Sequence, residues 1–177
     1  KEVLVEDVVE VQRMSSRVMS IKMIFGGKVC HVVSAYAPQG GKSEEEKVEF
    51  WGVLDDSIGR IPEEDLLIIG GDLNGHVGKD RNGFEEVIGV NGFGDRNEDG
   101  EKILEFCQSR RLTITNTLFK KNDEKKITYK SGGAKTQIDY ILARKNGAMK
   151  ITDCKGIPGE ACLTQHRLVC SDLKIEG

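Results

Sequence analysis

Leu66-Leu67-Ile68-Ile69-Gly70-Gly71-Asp72-Leu73-Asn74-Gly75 is the stretch that decides how this chain is read. Bulky apolar residues stop at a pair of glycines, and an acid and an amide follow with one leucine between them. A short continuous apolar run bounded by glycine reads as a strand covered on both faces. Such a strand leaves its sheet at the edge and aims Asp72 and Asn74 into the cleft where sheets of this kind keep their polar groups. Gly, Asp and Asn are also ordinary turn residues, so the segment alone reads equally as a plain strand-to-turn junction. Polar constellations further along fit the same site and favour the functional reading.

The flanking sequence supplies a scaffold. Residues 8–14 and 17–25 read as strands. In the second, Met19, Ile21, Met23 and Phe25 alternate with Val18, Ser20, Lys22 and Ile24, giving one solidly apolar face. Gly26-Gly27 is a hairpin signal, residues 28–36 return as a strand, and Pro38 ends it. Ser43 with Glu46 forms a capping box, opening a helix that ends by Gly59. Val48, Trp51, Leu54, Asp55 and Ile58 fall near one face, with Phe50 beside it, so Trp51 reads as core. Residues 79–98 read as a long polar surface loop, the kind that is often functional or mobile. A second helix is expected over about 100–110, and strands over 112–116, 127–130, 138–143, 150–154 and 167–173. Many short strands with two main helices point to an α/β sandwich of layered sheets.

At 177 residues the chain reads as one domain, 1–177. A chain of this size buries roughly 70% of its unfolded surface, enough for a sizeable core. Hydrophobic residues make up 38% and charged residues 31%, the balance of a soluble globular protein. A net charge of −3 is not that of a passive nucleic-acid binder, which carries a basic excess. A metal-dependent phosphoesterase can still be acidic, because its ion supplies the local positive charge. Cys30, Cys107, Cys154, Cys162 and Cys170 are odd in number and include no Cys-x-x-Cys. Neither a disulfide framework nor a zinc site follows, and buried free thiols in a reducing compartment are expected. No apolar run approaches the roughly 20 residues of a membrane span, and no signal peptide opens the chain. A start at Lys1 reads as an excised or processed piece.

Four constellations carry the chemistry. They are Asp72 with Asn74, Tyr36-Ala37-Pro38 at a strand end, Gln137-Ile138-Asp139-Tyr140 entering an apolar strand, and Thr164-Gln165-His166 before the last strand. A buried acid such as Asp139 needs a partner. Paired with His166, it fixes the imidazole's tautomer and leaves the other ring nitrogen for a phosphate oxygen. Asp72 can orient or deprotonate a water, and Asn74 can donate to developing charge. Each residue alone has a plainer use: His166 as a satisfied structural histidine, Asp139 as an internal anchor, Tyr36 as core with a polar tip. His31 reads as structural and His76 as solvent-facing.

Taken in order, these constellations resemble the endonuclease/exonuclease/phosphatase family, which includes DNase I and abasic-site endonucleases. Gly71-Asp72-Leu73-Asn74 resembles its Gly-Asp-[Phe/Leu]-Asn motif, Gln137-Ile138-Asp139-Tyr140 its [Arg/Ser]-Ile-Asp-Tyr segment, and Thr164-Gln165-His166 its Ser-Asp-His. A finer resemblance, carried by residues 28–39 and 127–142, is to endonucleases of RTE-type non-LTR retrotransposons. The resemblance covers nearly the whole chain. It implies an α/β, DNase I-like fold of two mixed β-sheets packed face to face with helices outside, the N-terminal strands missing from this chain. It further implies DNA as partner, Mg²⁺ or Mn²⁺ as cofactor, no membrane, and an intracellular, nuclear setting. Carried over residue by residue, Asp72 aligns the nucleophilic water and Asn74 holds the scissile phosphate. Asp139 orients His166, which contacts the phosphate, as does Tyr36. Asn116 is a weaker candidate for substrate contact.

Two departures from the family pattern stand out. The family's first segment carries an Asn and a Glu, the Glu being its principal metal ligand, and this chain begins after both. Glu2 and Glu6 precede the first strand in the wrong context to replace it. Gln165 stands where the family has an acid, and as a metal ligand it offers only one neutral oxygen. A divalent ion wants several oxygen ligands, so weak or absent activity is expected. An uncovered sheet edge is expected too, and with it self-association.

Overall fold

The computed structural model describes residues 3–161 and 165–174, so Glu2, Cys162 and Thr164 lie outside the described residues. A short helix α1 (Val3–Glu6) leads into an antiparallel meander of β1 (Val8–Arg13), β2 (Val18–Phe25) and β3 (Lys28–Ala35). Gly26 and Gly27 join β2 to β3 with φ of 57° and 72°, the pair of left-handed residues that a tight hairpin requires. Helix α2 (Glu44–Gly59) then crosses over and returns the chain to β4 (Leu66–Asp72), parallel to β3. Parallel neighbours need a crossover of this kind. The Ser43 side chain caps α2 by accepting the Glu46 N–H at 3.3 Å.

Helix α3 (Glu98–Ser109) starts earlier than the sequence suggested, because the Asn97 side chain accepts the Gly100 N–H at 2.8 Å and caps it. The chain continues through β5 (Leu112–Ile114), α4 (Asp123–Lys126), β6 (Tyr129–Ser131), β7 (Ala134–Thr136) and β8 (Asp139–Arg144). It closes with α5 (Lys145–Ala148), β9 (Ile151–Ala161) and β10 (Arg167–Leu173).

The main sheet has six strands in the order β1-β2-β3-β4-β8-β5. The second sheet, β9 with β10, is a two-stranded antiparallel ribbon and not the mixed sheet expected. β6 and β7 form a separate hairpin. On one face of the main sheet, Phe50, Leu54 and Ile58 of α2 and Ile103, Leu104 and Cys107 of α3 pack against Val33, Leu67, Ile69 and Leu142. Fully burying one such aliphatic side chain contributes about 1.5–3 kcal/mol, so this face holds the fold together. Trp51 packs between Phe50 and Phe106, with ring centroids at 5.0 and 4.9 Å, in keeping with its reading as core.

Three local expectations are corrected. The segment 79–98 is not a purely surface loop. Phe84, Val87 and Ile88 are buried, and Ile88 bridges to Ile114. Their spacing, one residue followed by others three and four positions on, was the available signal. The strand expected over 112–116 stops at Ile114, and Thr115–Thr117 is a 3₁₀ turn. The final hairpin strand is longer than read, because β9 pairs with β10 over a register from Ile151 to Ala161. Cys30, Cys107 and Cys154 are buried free thiols. His31 is structural, its Nε2 lying 3.1 Å from Asp65 Oδ2. No helix among the described residues is long and apolar enough to cross a membrane.

Candidate active site

β4 ends and β8 begins at the same edge of the sheet, with Asp72 directly opposite Asp139. Directly opposed residues of an antiparallel pair share a face, so the two carboxylates emerge side by side. The glycine before Asp72 makes this junction tight, since a Cβ on Gly71 would sit 1.8 Å from the Ala35 carbonyl oxygen. The Ala37 N–H donates to Asp72 O at 2.8 Å, and the Leu73 N–H donates to Ile138 O at 2.9 Å. Asp72 is thus held from β3 on one side and from the start of β8 on the other.

Asn74 takes a left-handed φ of 51°, which an asparagine tolerates. Its backbone N–H donates to Asp72 Oδ1 at 2.9 Å, and its side-chain Nδ2 donates to Ala37 O at 2.8 Å. The turn beyond it is anchored by the buried Tyr140 hydroxyl, which lies 2.7 Å from Gln137 O and 2.9 Å from Gly75 O and accepts the Val77 N–H at 3.3 Å. The turn also packs on the start of α3, where a Cβ on Gly100 would meet the His76 carbonyl oxygen at 1.7 Å.

His166 completes the cluster. Its Nδ1 lies 3.2 and 3.1 Å from the two Asp139 carboxylate oxygens, and its Nε2 lies 3.8 Å from Asp72 Oδ2. A carboxylate only accepts, so Nδ1–H donates and Nε2 is left toward Asp72. Burial pushes the Asp72 carboxyl up to about 6. The Asn74 N–H and His166 pull it down, while the Asp139 charge adds to the rise. Among the described residues these three form the one metal-capable group of carboxylate and imidazole, with ligand atoms all within 4.8 Å of one another. Glu6 is exposed on α1 and does not join it.

Strand β6, where a strand over 127–130 was expected, sets where His166 stands, a role that sequence reasoning missed. The Tyr129 ring meets the imidazole edge-on, with centroids 4.8 Å apart and planes at 64°. The two residues also form a backbone bridge, flanked by Lys130 N–H to Gln165 O at 2.9 Å and Arg167 N–H to Thr128 O at 2.8 Å. Buried Thr128 turns the other way, and its Oγ1 accepts the N–H groups of Ile138 and Asp139, both at 3.0 Å. One strand thereby positions both members of the Asp139–His166 pair. Alternation in Ile127-Thr128-Tyr129-Lys130 was the only sequence signal for it.

The remaining expected residues have other engagements. Gln165 is exposed and tied to the hairpin, accepting from the Tyr129 hydroxyl at 3.3 Å and donating to Ser131 Oγ at 2.8 Å. Asn116 is buried; its Nδ2 donates to Asp139 O at 3.2 Å and its Oδ1 accepts the Ile141 N–H at 2.8 Å. Tyr36 stands at the end of β3, beside the Ala37–Asp72 hydrogen bond, with its ring exposed and the Arg17 guanidinium 5.1 Å above it. His76 is half-buried, and its backbone joins Asn97 on the approach to α3.

No protein-family model matches the sequence. The chain is 32% identical over 169 residues to craniofacial development protein 2 of Bos taurus, a match spanning 92% of this chain and 27% of that protein. It is 31% identical over 163 residues to the same protein of Tragulus javanicus, spanning 88% of this chain and 28% of that one. The chain therefore covers little more than a quarter of these relatives. Among solved structures, the endonuclease domain of TRAS1, a telomere-specific non-LTR retrotransposon, superposes with a TM-score of 0.66 at 13% identity, over 97% of this chain and 70% of that one. An AP endonuclease from Archaeoglobus fulgidus gives a TM-score of 0.68 at 17% identity, over 95% and 72%. A 3′ phosphatase, NExo, from Neisseria, bound to a product DNA hairpin, gives 0.62 at 15% identity, over 90% and 65%. With a main sheet, a second ribbon and flanking helices matching these structures, the chain has the DNase I-like fold, and over most of its own length it is similar in sequence to craniofacial development protein 2.

Proposed function

We propose that this chain is a divalent-metal-dependent endonuclease-like domain that hydrolyses phosphodiester bonds in DNA, of the kind carried by non-LTR retrotransposons. The convergence of Asp72, Asp139 and His166, three distant segments meeting at one sheet edge, is the observation that carries this reading. Asp139 holds Nδ1–H of His166, so Nε2 is presented to a phosphate oxygen in the space beside Asp72. Asp72, with its carboxyl near 6, is mostly ionised at neutral pH and takes the proton of the attacking water. One amide hydrogen of Asn74 is spent on Ala37, and the second donates to the phosphate. Tyr36 contacts the same phosphate from β3. Asn116, its amide engaged by β8, supports Asp139 instead of touching substrate.

Hard carboxylate oxygens with one imidazole suit Mg²⁺ or Mn²⁺. Asp72 and Asp139 would hold such an ion, with His166 Nε2 as a third ligand only where it does not face the phosphate, and the ion when bound would supply positive charge to the phosphate. Among the described residues the cluster has only two carboxylates, so activity of this chain is expected to be weak. That shortage also favours a second reading, a nuclease-derived scaffold or interaction module without catalysis.

Nicking of supercoiled plasmid in Mg²⁺ or Mn²⁺ separates the two. The nuclease reading expects relaxed circles from the parent chain and none from Asp72→Asn or His166→Ala. Equal nicking by all three, or none by the parent at high enzyme concentration, would defeat it.

A further inference from the structure

Resting on the proposed role of Asn74 as a phosphate donor, we infer that Asn97, at the start of α3, is a positioning residue for it. One oxygen of the Asn97 side chain caps the helix and also holds the turn that carries Asn74. That oxygen, Oδ1, accepts the Gly100 N–H at 2.8 Å and the His76 N–H at 2.9 Å. The Asn97 N–H in turn donates to His76 O at 3.1 Å. Both polar backbone groups of His76, two residues past Asn74, are thereby engaged by a single residue. The bond to Gly100 is ordinary helix capping. The bond to His76 is not needed for capping, and it joins the helix to the site.

Asn74 depends on such support because its φ is 51°. A residue other than glycine stays in this region when its surroundings over-determine the backbone. Upstream, the β4–β8 ladder fixes Asp72, and Asn74 bonds back to Asp72 Oδ1 and to Ala37 O. Downstream the chain leaves the sheet, and other elements must hold it. The Tyr140 hydroxyl meets Gly75 O and the Val77 N–H, and Arg96 Nε donates to Val77 O at 3.2 Å. The residue between them, His76, is held by Asn97.

The turn and the helix fit without slack. A Cβ on Gly75 would lie 2.7 Å from the Asp99 carbonyl carbon, and one on Gly100 would lie 1.7 Å from His76 O. The first turn of α3 is itself pinned to α2, where Lys47 Nζ donates to Asp99 Oδ1 at 2.9 Å. The His76 backbone therefore rests on a fixed base. Removing the Asn97 oxygen frees the His76 N–H, lets the turn relax and swings the Asn74 amide away from the phosphate, while Asp72 stays in its ladder.

Two substitutions separate capping from positioning. Only Oδ1 takes part in the two contacts. Aspartate supplies the same oxygen, and its charge is favourable at a helix N-terminus. Glycine caps a helix only slightly less well than asparagine but offers His76 no oxygen. Ser43→Ala is the control, since Ser43 caps α2 by accepting the Glu46 N–H.

Nicking kinetics of Asn97→Gly, Asn97→Asp and Ser43→Ala beside the parent in Mn²⁺, with NMR spectra of the Asn74 side-chain amide, test this. Asn97→Gly should lower kcat tenfold or more with KM within twofold, because a donor to developing charge acts on the chemical step. Its Asn74 amide resonances should shift. Asn97→Asp should keep kcat within threefold of the parent, and Ser43→Ala should match the parent in both readouts. A parental kcat or unmoved Asn74 resonances in Asn97→Gly would overturn the inference, as would a loss carried by KM alone. Equal impairment of Asn97→Asp or of Ser43→Ala would overturn it as well. A parent that does not nick defeats the nuclease reading instead. The Asn74 resonances then decide the positioning role by themselves, moving in Asn97→Gly and staying in place in Asn97→Asp if it holds.

Discussion

Asp72 and Asp139 face each other across the β4–β8 ladder, two like charges set side by side at a partly buried sheet edge. Such a pair is costly, and the cost is visible in the Asp72 carboxyl, pushed up to about 6 from 3.8 by burial and by its neighbour. The folded chain therefore holds this proton more tightly than the unfolded chain does. The resulting stabilisation is complete below about pH 4 and is lost as the pH rises through 6.

Asp72→Asn keeps the neutral form at every pH. It should be more stable than the parent at pH 8, by on the order of 1 kcal/mol once partial exposure is allowed for, and equal to it near pH 4. Urea unfolding at the two pH values checks this. A stability difference that does not change with pH would show that burial is not taxing the charged carboxylate.

Tyr129→Ala should cost activity through His166. The ring holds the imidazole edge-on at 4.8 Å while Asp139 holds Nδ1, so its removal frees the ring to tilt away from Asp72. A tenfold or greater fall in nicking rate with little change in DNA affinity is expected, and Tyr129→Phe should restore most of it. Because weak activity is expected, the His166 ring resonances in an NMR spectrum give a second readout. They should shift and broaden in Tyr129→Ala and stay near the parent's in Tyr129→Phe. If Tyr129→Phe fails as badly as Tyr129→Ala, the hydroxyl contact to Gln165 matters and the ring does not.

Much of this arrangement was legible in the sequence, and the reasons it was or was not are physical. Asp72 and Asn74 stood out because a buried apolar run cannot end in polar residues without somewhere to put them. Ser43 and Glu46 announced α2 through local capping chemistry. Phe84, Val87 and Ile88 were lost among glycines and charges, because their spacing is a single helical turn's worth of pattern, too short to stand out without the tertiary contacts that bury them. Thr128 and Tyr129 were invisible as site residues for a similar reason. Their importance comes from pairing β6 with residues 165–167, a contact between segments far apart in the chain. Asn116 is a weaker candidate for substrate contact through the family resemblance alone, and the structure engages its Oδ1 and one amide hydrogen with β8.

Thr128→Val should destabilise the fold and disturb the site together. Its Oγ1 accepts two backbone N–H groups, from Ile138 and from Asp139, and the side chain is fully buried. Valine fills the same volume but leaves both donors without that acceptor, and an unsatisfied buried donor costs about 1–3 kcal/mol. A loss of about 2–4 kcal/mol in urea unfolding is expected on that basis. Thr128→Ser keeps the acceptor and should lose less than half as much. A Thr128→Val chain as stable as the parent would mean that water replaces the hydroxyl.

Metal binding decides how far the site is functional. Two carboxylates and an imidazole make a donor set that prefers Mn²⁺ to Mg²⁺, because nitrogen beside oxygen suits the softer ion. An ion that binds only the folded chain raises its stability by mass action, about 1.4 kcal/mol at ten times the dissociation constant. For a chain of this length that is about 3–6 °C in Tm. Millimolar Mn²⁺ should produce such a shift, Mg²⁺ a smaller one, and Asp139→Asn should abolish both while leaving the metal-free Tm within a few degrees of the parent. A parent chain whose Tm ignores both ions, yet whose Asp72, Asp139 and His166 substitutions still lower stability, would be a nuclease fold keeping its cluster for structure, and the scaffold reading would then stand.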